Sequence, residues 1–458
     1  MNWIESKFPG AVPAHDGLPN PQRMLAFATL AMAVAMAVLD GAIVNVALPT
    51  IARELAITNA QSVWIVNAFQ LAVTVSLLPL AALGDSLGYR RVYWPGLALF
   101  TAASLACALA PTLPVLALAR AVQGVGAAGI MSVNIALVRF IYPSSRLGRG
   151  VGAIALVVAV SSAGSPTVAA AILSAASWRW LFLVNLPIGL VALAMAARNL
   201  PATPTTERRL DSLSVVLNAL TFGLLIGGIN GLGDKKGPYL AVGELAAAAA
   251  IGAIFVRRQL RLPTPLLPVD LLGRPVFALS LATSIASFAA QSLALVALPF
   301  YFEDTLGRSE TATGLLMTPW PLATALIAPI AGRLADRFVP GLLGSAGLLV
   351  MAAGLALVAL QGRDPGVASL VWRLAVCGLG FGFFQSPNNR LIIGSAPPHR
   401  SGGASGLQSS GRLIGQSVGA AIMAVAFGLS AQRSTSIALW TASGLALAGA
   451  CASGLRRA

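Results

Sequence analysis

Apolar residues occur along this chain in long blocks separated by short polar segments. A helix needs about 20 apolar residues to cross a bilayer, and this criterion predicts fourteen membrane-spanning helices, numbered 1 to 14 in chain order. Their predicted bounds are residues 24–48, 61–83, 91–110, 113–139, 150–173, 181–199, 210–232, 239–257, 275–302, 313–334, 341–361, 367–393, 402–427 and 434–455. Hydrophobic residues make up 57% of the 458 positions and charged residues 10%, with a mean hydropathy of +0.81. A soluble domain of this size could not cover such a surface with polar groups, so the sequence predicts an all-α polytopic membrane protein.

The basic residues indicate the orientation in the membrane. Of the 30 Lys and Arg residues, 20 lie in segments on the side of the two termini, 7 lie on the opposite side and 3 lie within predicted helices. Cytoplasmic segments carry an excess of Lys and Arg, so we expect both termini in the cytoplasm. The net charge of +15 does not predict nucleic-acid binding, because the basic residues are scattered singly and form no patch with interleaved aromatic residues. Membrane lipids with anionic headgroups are the expected partners of these residues.

Two polar segments divide the chain. The segments 201–212 (PATPTTERRLDS) and 257–275 (RRQLRLPTPLLPVDLLGRP) have the composition of linkers. The predicted organisation is a cytoplasmic tail (1–23), a six-helix bundle (24–200), a linker with two additional helices (201–274) and a second six-helix bundle (275–458). An internal echo supports two related halves, because ALGDSLGYRR (82–91) follows helix 2 and AGRLADRF (331–338) follows helix 10. Transporters use such repeats to build two halves that rock around a central site.

Asp40 is the one acidic residue that this topology places deep within an apolar span. A carboxylate there is costly to insert, so it indicates a functional site. If helix 1 ends near residue 48 and helix 4 begins near residue 113, Asp40 lies about 12 Å and Arg120 about 10 Å from the same membrane face, at 1.5 Å per residue. Asp40 could carry a proton while Arg120 favours its ionised form, the two could form a permanent ion pair that fixes packing, or Asp40 could bind a cationic substrate.

Five segments together resemble one family. They are LDGAIVNVALPTIA (39–52), ALGDSLGYRR (82–91), RAVQGVGAAG (120–129), WRWLFLVNLPIG (178–189) and SGGASGLQSSGRLIGQSVGAA (401–421). On these motifs, which occur in matching order on matching helices, the chain resembles the major facilitator superfamily and within it the fourteen-helix drug:proton antiporters of the multidrug efflux type. The resemblance implies two six-helix bundles plus two inserted helices, with helices 1 and 4 in the same bundle. It also implies export of small amphipathic or hydrophobic compounds across a bacterial cytoplasmic (inner) membrane by alternating access, driven by the inward movement of protons.

Two motifs depart from the family pattern. In helix 5 the family reads Gly-Pro, two residues and Gly-Gly, whereas this chain has Ser165-Pro166-Thr167-Val168-Ala169-Ala170. The motif between helices 2 and 3 has Ala81 in place of its first glycine and Ser86 in place of a basic residue. Small residues still allow close helix packing, and Pro166 still kinks the helix.

The charged residues at the ends of helices 2 and 10 are candidates for a gate. The resemblance implies that they latch the two halves together in one state through charge and helix-dipole contacts, and the alternative is a solvated loop. The candidate gating residues are Asp85, Gly88, Arg90 and Arg91, and in the second copy Asp336 and Arg337. Arg412, deep in helix 13, matches the helix 13 pattern and is expected to have a conformational role.

Polar and aromatic residues within the spans are candidates for a central substrate cavity, because polar side chains avoid lipid. Hydrogen bonding between helices is the alternative role for each of them. The candidates are Asn45, Asn67, Gln70, Gln123, Asn134, Pro166, Trp320, Gln385 and Asn388.

The sequence predicts no enzyme activity and no cofactor other than the proton as coupling ion. It contains no P-loop and no Ser/His/Asp set, and its two histidines and three cysteines have no metal-ligand spacing. A single deep acid indicates few protons per cycle, which favours neutral, monovalent or anionic substrates. A dedicated exporter of one metabolite on the same fold is an alternative function, and a membrane sensor without transport activity is a remote one. A monomer is compatible with these features.

Overall fold

The computed structural model describes residues 16–205, 211–233, 238–262, 265–361, 365–397, 401–430 and 432–456. Residues 1–15 of the predicted tail therefore lie outside the described residues, as do three short stretches of the predicted segment 201–274. The described residues contain fourteen helices that are long and apolar enough to cross a membrane, which confirms the predicted all-α membrane fold. They are α1 (Gln22–Glu54), α2 (Asn59–Leu87), α3 (Tyr89–Leu109), α4 (Leu113–Ile141), α5 (Ser144–Ala175), α6 (Trp180–Asn199), α7 (Ser212–Gly231), α8 (Tyr239–Arg261), α9 (Pro275–Thr305), α10 (Glu310–Leu334), α11 (Pro340–Ala359), α12 (Val367–Gly394), α13 (Gly403–Leu429) and α14 (Ser434–Gly454).

The first two helices are longer than the apolar pattern predicts. α1 continues to Glu54, beyond the predicted end at residue 48, and α2 extends from Asn59 to Leu87. A capping box starts α2, because the Thr58 hydroxyl accepts from the Gln61 backbone N–H (3.2 Å) while the Gln61 side chain accepts from the Thr58 N–H (2.9 Å). Polar helix ends of this kind carry no hydropathy signal, so the apolar blocks predict spans that are too short.

Helices α1–α6 and α9–α14 repeat the same packing. In the first set α2 contacts α4, α3 contacts α4 and α6, and α1 contacts α5 and α6. In the second set α10 contacts α12, α11 contacts α12 and α14, and α9 contacts α13 and α14. Each helix thus corresponds to the one eight positions later. The sequence Val-Ala-Leu-Pro occurs at residues 46–49 of α1 and 296–299 of α9, which aligns these two helices residue by residue.

Glycines allow the central helices to approach their neighbours closely. A Cβ on Gly124 of α4 would lie 2.5 Å from the carbonyl oxygen of Phe69 in α2. At the corresponding place in the second set, a Cβ on Gly378 of α12 would lie 2.1 Å from the carbonyl oxygen of Trp320 in α10. Real Cβ atoms are not found at such distances from backbone, so both positions require glycine for packing.

The two additional helices lie beside the bundles. α7 and α8 pack against each other, and α7 also contacts α2 and α13, one helix from each bundle. Asn67 Nδ2 donates to Asn230 Oδ1 of α7 (3.2 Å), and Asn218 Nδ2 donates to the Val75 carbonyl of α2 (3.1 Å). α7 therefore covers the junction of α2 and α13 from one side.

Both bundles meet near each end of the helices. We call the side that carries Gln22 and Gly454 the terminal face, and the side that carries Glu54 and Glu310 the distal face. The bundles are joined by contacts of α1 with α9 and α10, of α2 with α13, and of α5 with α10. In the distal half, a Cβ on Gly314 of α10 would lie 2.6 Å from the carbonyl oxygen of Pro166 in α5. Towards the terminal face, Gly406 of α13 packs against Leu78 of α2.

Candidate functional site

Asp40 lies at the centre of a buried hydrogen-bond network in the first bundle. Arg120 Nη1 of α4 donates to Asp40 Oδ2, and both residues are only 1% exposed. Asp40 Oδ1 accepts from Gln123 Nε2 (2.9 Å) and from Asn185 Nδ2 of α6 (2.8 Å). Ser104 of α3 accepts from Gln123 Nε2 (2.9 Å). The network therefore joins α1, α3, α4 and α6.

The Arg120 guanidinium has further partners besides Asp40. Its Nε donates to the Ile65 carbonyl (3.2 Å), and its Nη1 also donates to Gln123 Oε1 (2.7 Å). Its Cζ lies 4.2 Å from the centre of the Phe69 ring, within the range of a cation–π contact. Arg120 would thus keep several contacts if Asp40 became neutral, which is a requirement for a pair that opens and closes during a cycle.

The two oxygens of the Asp40 carboxylate accept hydrogen bonds from three donors, those of Arg120, Gln123 and Asn185. Removing one member of a buried ion pair costs about 3–5 kcal/mol because the remaining charge is left uncompensated. Protonation of Asp40 has the same effect on Arg120, so it would change the interactions of four helices at once.

Among the described residues, the second bundle has no network that corresponds to the one around Asp40. The alignment of α1 with α9 places Ala290 at the position of Asp40. The glycines that pack α4 and α12 align Gly124 with Gly378, which places Leu374 at the position of Arg120 and Cys377 at that of Gln123. The two bundles share their packing but not this polar chemistry.

At the terminal face, the candidate gating residues of the first bundle contact Tyr89 of α3, the end of α6 and the segment after it. Tyr89 Oη donates to Asp85 Oδ1 (2.8 Å). Gly88 has φ +95°, and a Cβ there would lie 3.2 Å from the Thr203 carbonyl oxygen, so glycine is required at this turn. Arg90 donates to the carbonyls of Ala197 (2.6 Å) and Leu200 (3.1 Å) at the end of α6, where the helix dipole favours a cation. Arg91 is exposed.

The second copy of this motif is more open. Asp336 forms an ion pair with Arg390 of α12, and both side chains are more than half exposed. Arg337 is also exposed. Both copies thus make contacts within their own bundle in this structure, and their role as a gate stays a prediction.

A cluster of charges joins the two bundles at the distal face. Arg53 Nη2 at the end of α1 donates to Glu303 Oε2 of α9 (2.8 Å), and Arg53 also lies 3.7 Å from Asp304 and 3.4 Å from Glu310. Asn59 Nδ2 of α2 donates to Asp304 Oδ2 (3.0 Å). We call Arg53, Asn59, Glu303, Asp304 and Glu310 the distal latch. A cleft of about 470 Å³ lies beside it, lined in part by Leu173, Ser174 and Arg308.

The predicted cavity residues occupy several different environments. Gln123 belongs to the Asp40 network, and Asn67 faces α7 through Asn230. Pro166 is buried at the junction of α5 with α10. Asn388 Oδ1 accepts from Arg456, near the terminal face.

The other five cavity candidates keep unused or accessible polar groups. Four of them have a buried polar atom without a hydrogen-bond partner among the described residues: Asn45 Oδ1, Gln70 Oε1, Asn134 Oδ1 and Trp320 Nε1. Gln385 on α12 is partly exposed. Buried polar groups are normally satisfied by protein, water or ligand, so these groups remain available to water or substrate.

Sequence reasoning missed Asn185 and Ser104 of the Asp40 network and all five residues of the distal latch. Asn185 and Ser104 bind within the Asp40 network, and Asn185 lies inside the segment WRWLFLVNLPIG (178–189), whose polar residue was the available signal. Arg53 and Glu303 were placed in loops because the predicted helices ended at residues 48 and 302. The Val-Ala-Leu-Pro alignment could have found them, because it makes Arg53 and Glu303 equivalent positions of opposite charge.

Comparisons with known proteins agree with this architecture. The family model described as Major Facilitator Superfamily matches residues 30–420. Uncharacterized transporter YebQ of Escherichia coli (strain K12) is 54% identical over 443 residues, which cover 96% of this chain and 97% of that protein. Methylenomycin A resistance protein of Streptomyces coelicolor is 34% identical over 404 residues (86% and 84%), and Riboflavin transporter RibZ of Clostridioides difficile is 30% identical over 383 residues (83% of each). This chain is therefore a transporter that belongs to the Major Facilitator Superfamily.

Proposed function

We propose that this transporter is a proton-coupled exporter of small amphipathic or hydrophobic compounds. It would work as an antiporter in a bacterial cytoplasmic membrane, with the terminal face and both chain termini in the cytoplasm. The excess of Lys and Arg on the side of the termini supports this orientation. A relative named for methylenomycin A resistance supports the export of a small toxic compound.

The observation that carries the proposal is the buried network around Asp40. The carboxylate is inaccessible to bulk solvent here, and its partners belong to four helices of one bundle. Proton binding would neutralise Asp40, release Arg120 from its counter-ion and weaken the acceptor for Gln123. A proton can shift a conformational equilibrium only by the difference in its affinity for the two conformations. The hydrogen-bond network around Asp40 would supply that difference if it rearranges when the transporter changes conformation.

Alternating access requires the contacts at the two faces to open in turn. In this structure the distal latch holds α1 and α2 against α9 and α10 through ionic and polar contacts. The contact between Leu78 and Gly406 towards the terminal face is apolar. Opening the distal side would break the ion pairs of the latch and transfer their charges to water. Opening the terminal side would leave these ion pairs intact.

Substrate-dependent proton release in everted membrane vesicles tests the coupling site. Vesicles acidified by respiration are loaded with acridine orange, and addition of a transported compound to the wild type should release protons and restore fluorescence. In Asp40→Asn, we expect this response and the dependence of substrate accumulation on the pH gradient to be lost. Glu54→Gln is the matched control, since Glu54 is the other acid of α1 and pairs with Arg179 near the distal face. An unchanged pH-gradient dependence in Asp40→Asn would remove Asp40 from the mechanism.

The alternative of a single metabolite as substrate has its own support. The relative from Clostridioides difficile is named as a riboflavin transporter, so a transporter named for one compound occurs among the similar proteins. A strain that lacks the gene, grown across a panel of toxic compounds with analysis of its intracellular metabolites, separates the two functions. Broad sensitivity favours export of many compounds, whereas accumulation of one metabolite without sensitivity favours the dedicated exporter.

A further inference from the structure

Arg412 is a partly buried cation for which the described part of the protein supplies no hydrogen-bond or ion-pair partner. It lies nine residues after Gly403, so it is about 14 Å along α13 from the end of the helix at the terminal face. Within the described part of the chain, its guanidinium donates no hydrogen bond and joins no ion pair, and its Nε atom is buried and unsatisfied. The residue as a whole remains partly accessible. An arginine at this depth is costly to insert, so its environment favours the binding of a group of opposite charge.

The packing of α13 shows which way Arg412 projects. Its neighbour Gly411 packs on Leu281 of α9, and its other neighbour Leu413 belongs to the apolar core of the first bundle. Because an α-helix turns about 100° per residue, Arg412 projects between these two directions, towards the space where the bundles face each other. The residues that contact the loop after α7, such as Gly428, lie roughly 160° away around the helix. Arg412 therefore points away from the inserted helices.

Polar groups accompany Arg412 on the inner surface. Gln408, one turn earlier on α13, donates to Asn389 of α12, which places this stripe of α13 beside the central helix of the second bundle. Leu78 of α2 contacts Gly406 of α13, so these two residues lie at the same depth. Gln70 lies eight residues from Leu78 towards the distal face, and Arg412 lies six residues from Gly406 in the same direction. These intervals correspond to about 12 Å and 9 Å along two antiparallel helices, so Gln70 and Arg412 occupy nearly the same depth.

The fixed charge of the central region is positive. The Asp40–Arg120 pair is neutral as a unit, so Arg412 adds an uncompensated positive charge. A cationic compound would be repelled by this charge, whereas a planar guanidinium with free N–H groups matches the oxygens of a carboxylate, sulfonate or phosphate.

We propose that Arg412 binds the anionic group of the exported compound, so that the substrates are amphipathic organic anions. The apolar part of such a compound would lie against the surrounding helices, and its acidic group would satisfy the Arg412 guanidinium. This inference rests on the proposed export function for its physiological meaning, but the binding step itself requires no proton gradient. The phosphate of an anionic lipid has the same chemistry, so the test must separate a lipid headgroup from a soluble compound.

Two fluorescent probes with the same aromatic frame provide the test. Anilinonaphthalene sulfonate carries a negative charge, and N-phenylnaphthylamine is the same frame without the sulfonate. Their equilibrium affinities are measured by fluorescence titration of the purified full chain in nanodiscs of phosphatidylcholine, with empty nanodiscs subtracted. We expect the wild type to prefer the sulfonate, and Arg412→Gln to lose about tenfold or more in sulfonate affinity, the size expected for one charge-assisted hydrogen bond.

The controls separate a binding role from a structural one. Arg412→Gln should bind the neutral amine as the wild type does, and Arg412→Lys, which keeps the charge but not the planar fork, should retain part of the sulfonate preference. Arg373→Gln changes another arginine within a span, one that stacks on Trp372, and should leave both affinities unchanged. Equal loss of both probes in Arg412→Gln, or a wild type without sulfonate preference, would overturn the proposal. Nanodiscs with phosphatidylglycerol test the lipid source: loss of sulfonate binding there would assign Arg412 to a headgroup and overturn the substrate role.

This outcome is independent of the coupling site. The nanodisc titration contains no proton gradient, so it measures anion binding at Arg412 whether or not Asp40 couples transport to protons. Failure of the proton coupling and failure of anion recognition therefore give different results in different assays.

Discussion

The distal latch should set the balance between two states of the transporter, and Glu303→Gln isolates its central contact. The Glu303 side chain is 3% exposed, whereas that of its partner Arg53 is 53% exposed, so the pair is intermediate between a surface and a buried ion pair. A hydrogen bond to a charged group contributes about 1.5–3 kcal/mol. We take the lower value because solvent screens Arg53, and because Asp304 and Glu310 remain near it. A loss of about 1.5 kcal/mol changes the ratio of distal-closed to distal-open molecules by slightly more than tenfold, since about 1.4 kcal/mol corresponds to a factor of ten.

Distances between two spin labels across the distal face measure this ratio. Ser177, in the loop before α6, and Thr305, at the end of α9, are exposed and lie on different bundles. The labels are introduced in a Cys451→Ser background, since Cys451 is exposed while Cys107 and Cys377 are buried. Glu303→Gln should enrich the population with the longer distance by about an order of magnitude.

Glu54→Gln is the matched control for this experiment. Glu54 also lies at the distal end of α1, but its ion pair with Arg179 (3.3 Å) stays within the first bundle. The control removes the same charge without cutting a contact between bundles, so its distance distribution should match that of the wild type. An unchanged distribution in Glu303→Gln, or an equal shift in Glu54→Gln, would refute the role of the latch.

Two further changes test packing and the inserted helices. Gly378→Ala places a Cβ 2.1 Å from the Trp320 carbonyl oxygen and should cost about 1–3 kcal/mol through overpacking, seen as a lower thermal midpoint. Gly332→Ala, with no atom within 4 Å of the new Cβ, should be neutral, and equal losses in both variants would contradict the packing argument. Hydrogen bonds from Arg258 lower the pKa of Asp211 from 3.8 to about 2. Because the pKa of Asp211 is depressed in the folded state, its contribution to stability is present above pH 4 and is lost as the pH falls towards 2. Acidification should therefore lower the free energy of unfolding more in the wild type than in Asp211→Asn, by about 0.2–1 kcal/mol for a largely exposed pair, seen as a larger fall in the thermal midpoint. Equal falls in the two proteins would refute this argument.

The sequence contains strong signals for the helices and weak ones for their ends. Fourteen apolar blocks predict fourteen spans because each block must be long enough to cross a bilayer. The last turns of α1 and α9 are polar and carry Arg53 and Glu303, so hydropathy cannot distinguish them from loops. Their function as a contact between bundles depends on tertiary packing, which brings residues 250 positions apart within 2.8 Å.

The candidate site could be predicted in part. Asp40 stands out because a carboxylate in an apolar helix is rare, and the depth estimate selects Arg120 as a residue that it could reach. The hydrogen bonds from Asn185 and Gln123 depend on side-chain directions across four helices, which no spacing rule along one helix can supply. For the same reason Asn67 and Asn388 could not be distinguished from cavity residues, since both are polar residues of apolar spans but contact Asn230 and Arg456.

The difference between the two bundles has an energetic consequence for transport. Because Ala290 and Leu374 occupy the positions of Asp40 and Arg120 in the second bundle, the coupling proposed at Asp40 would have no second copy there, and one proton per cycle is its simplest stoichiometry. Each charge that crosses 100 mV gains or costs about 2.3 kcal/mol. Exchange of one inward proton for an outward monovalent cation moves no net charge, so only the pH gradient drives it. Exchange for an outward monovalent anion moves the equivalent of two positive charges inward and gains about 4.6 kcal/mol per 100 mV. If Arg412 binds an anion and Asp40 carries one proton, as proposed, the membrane potential would drive both the inward movement of the proton and the outward movement of the substrate.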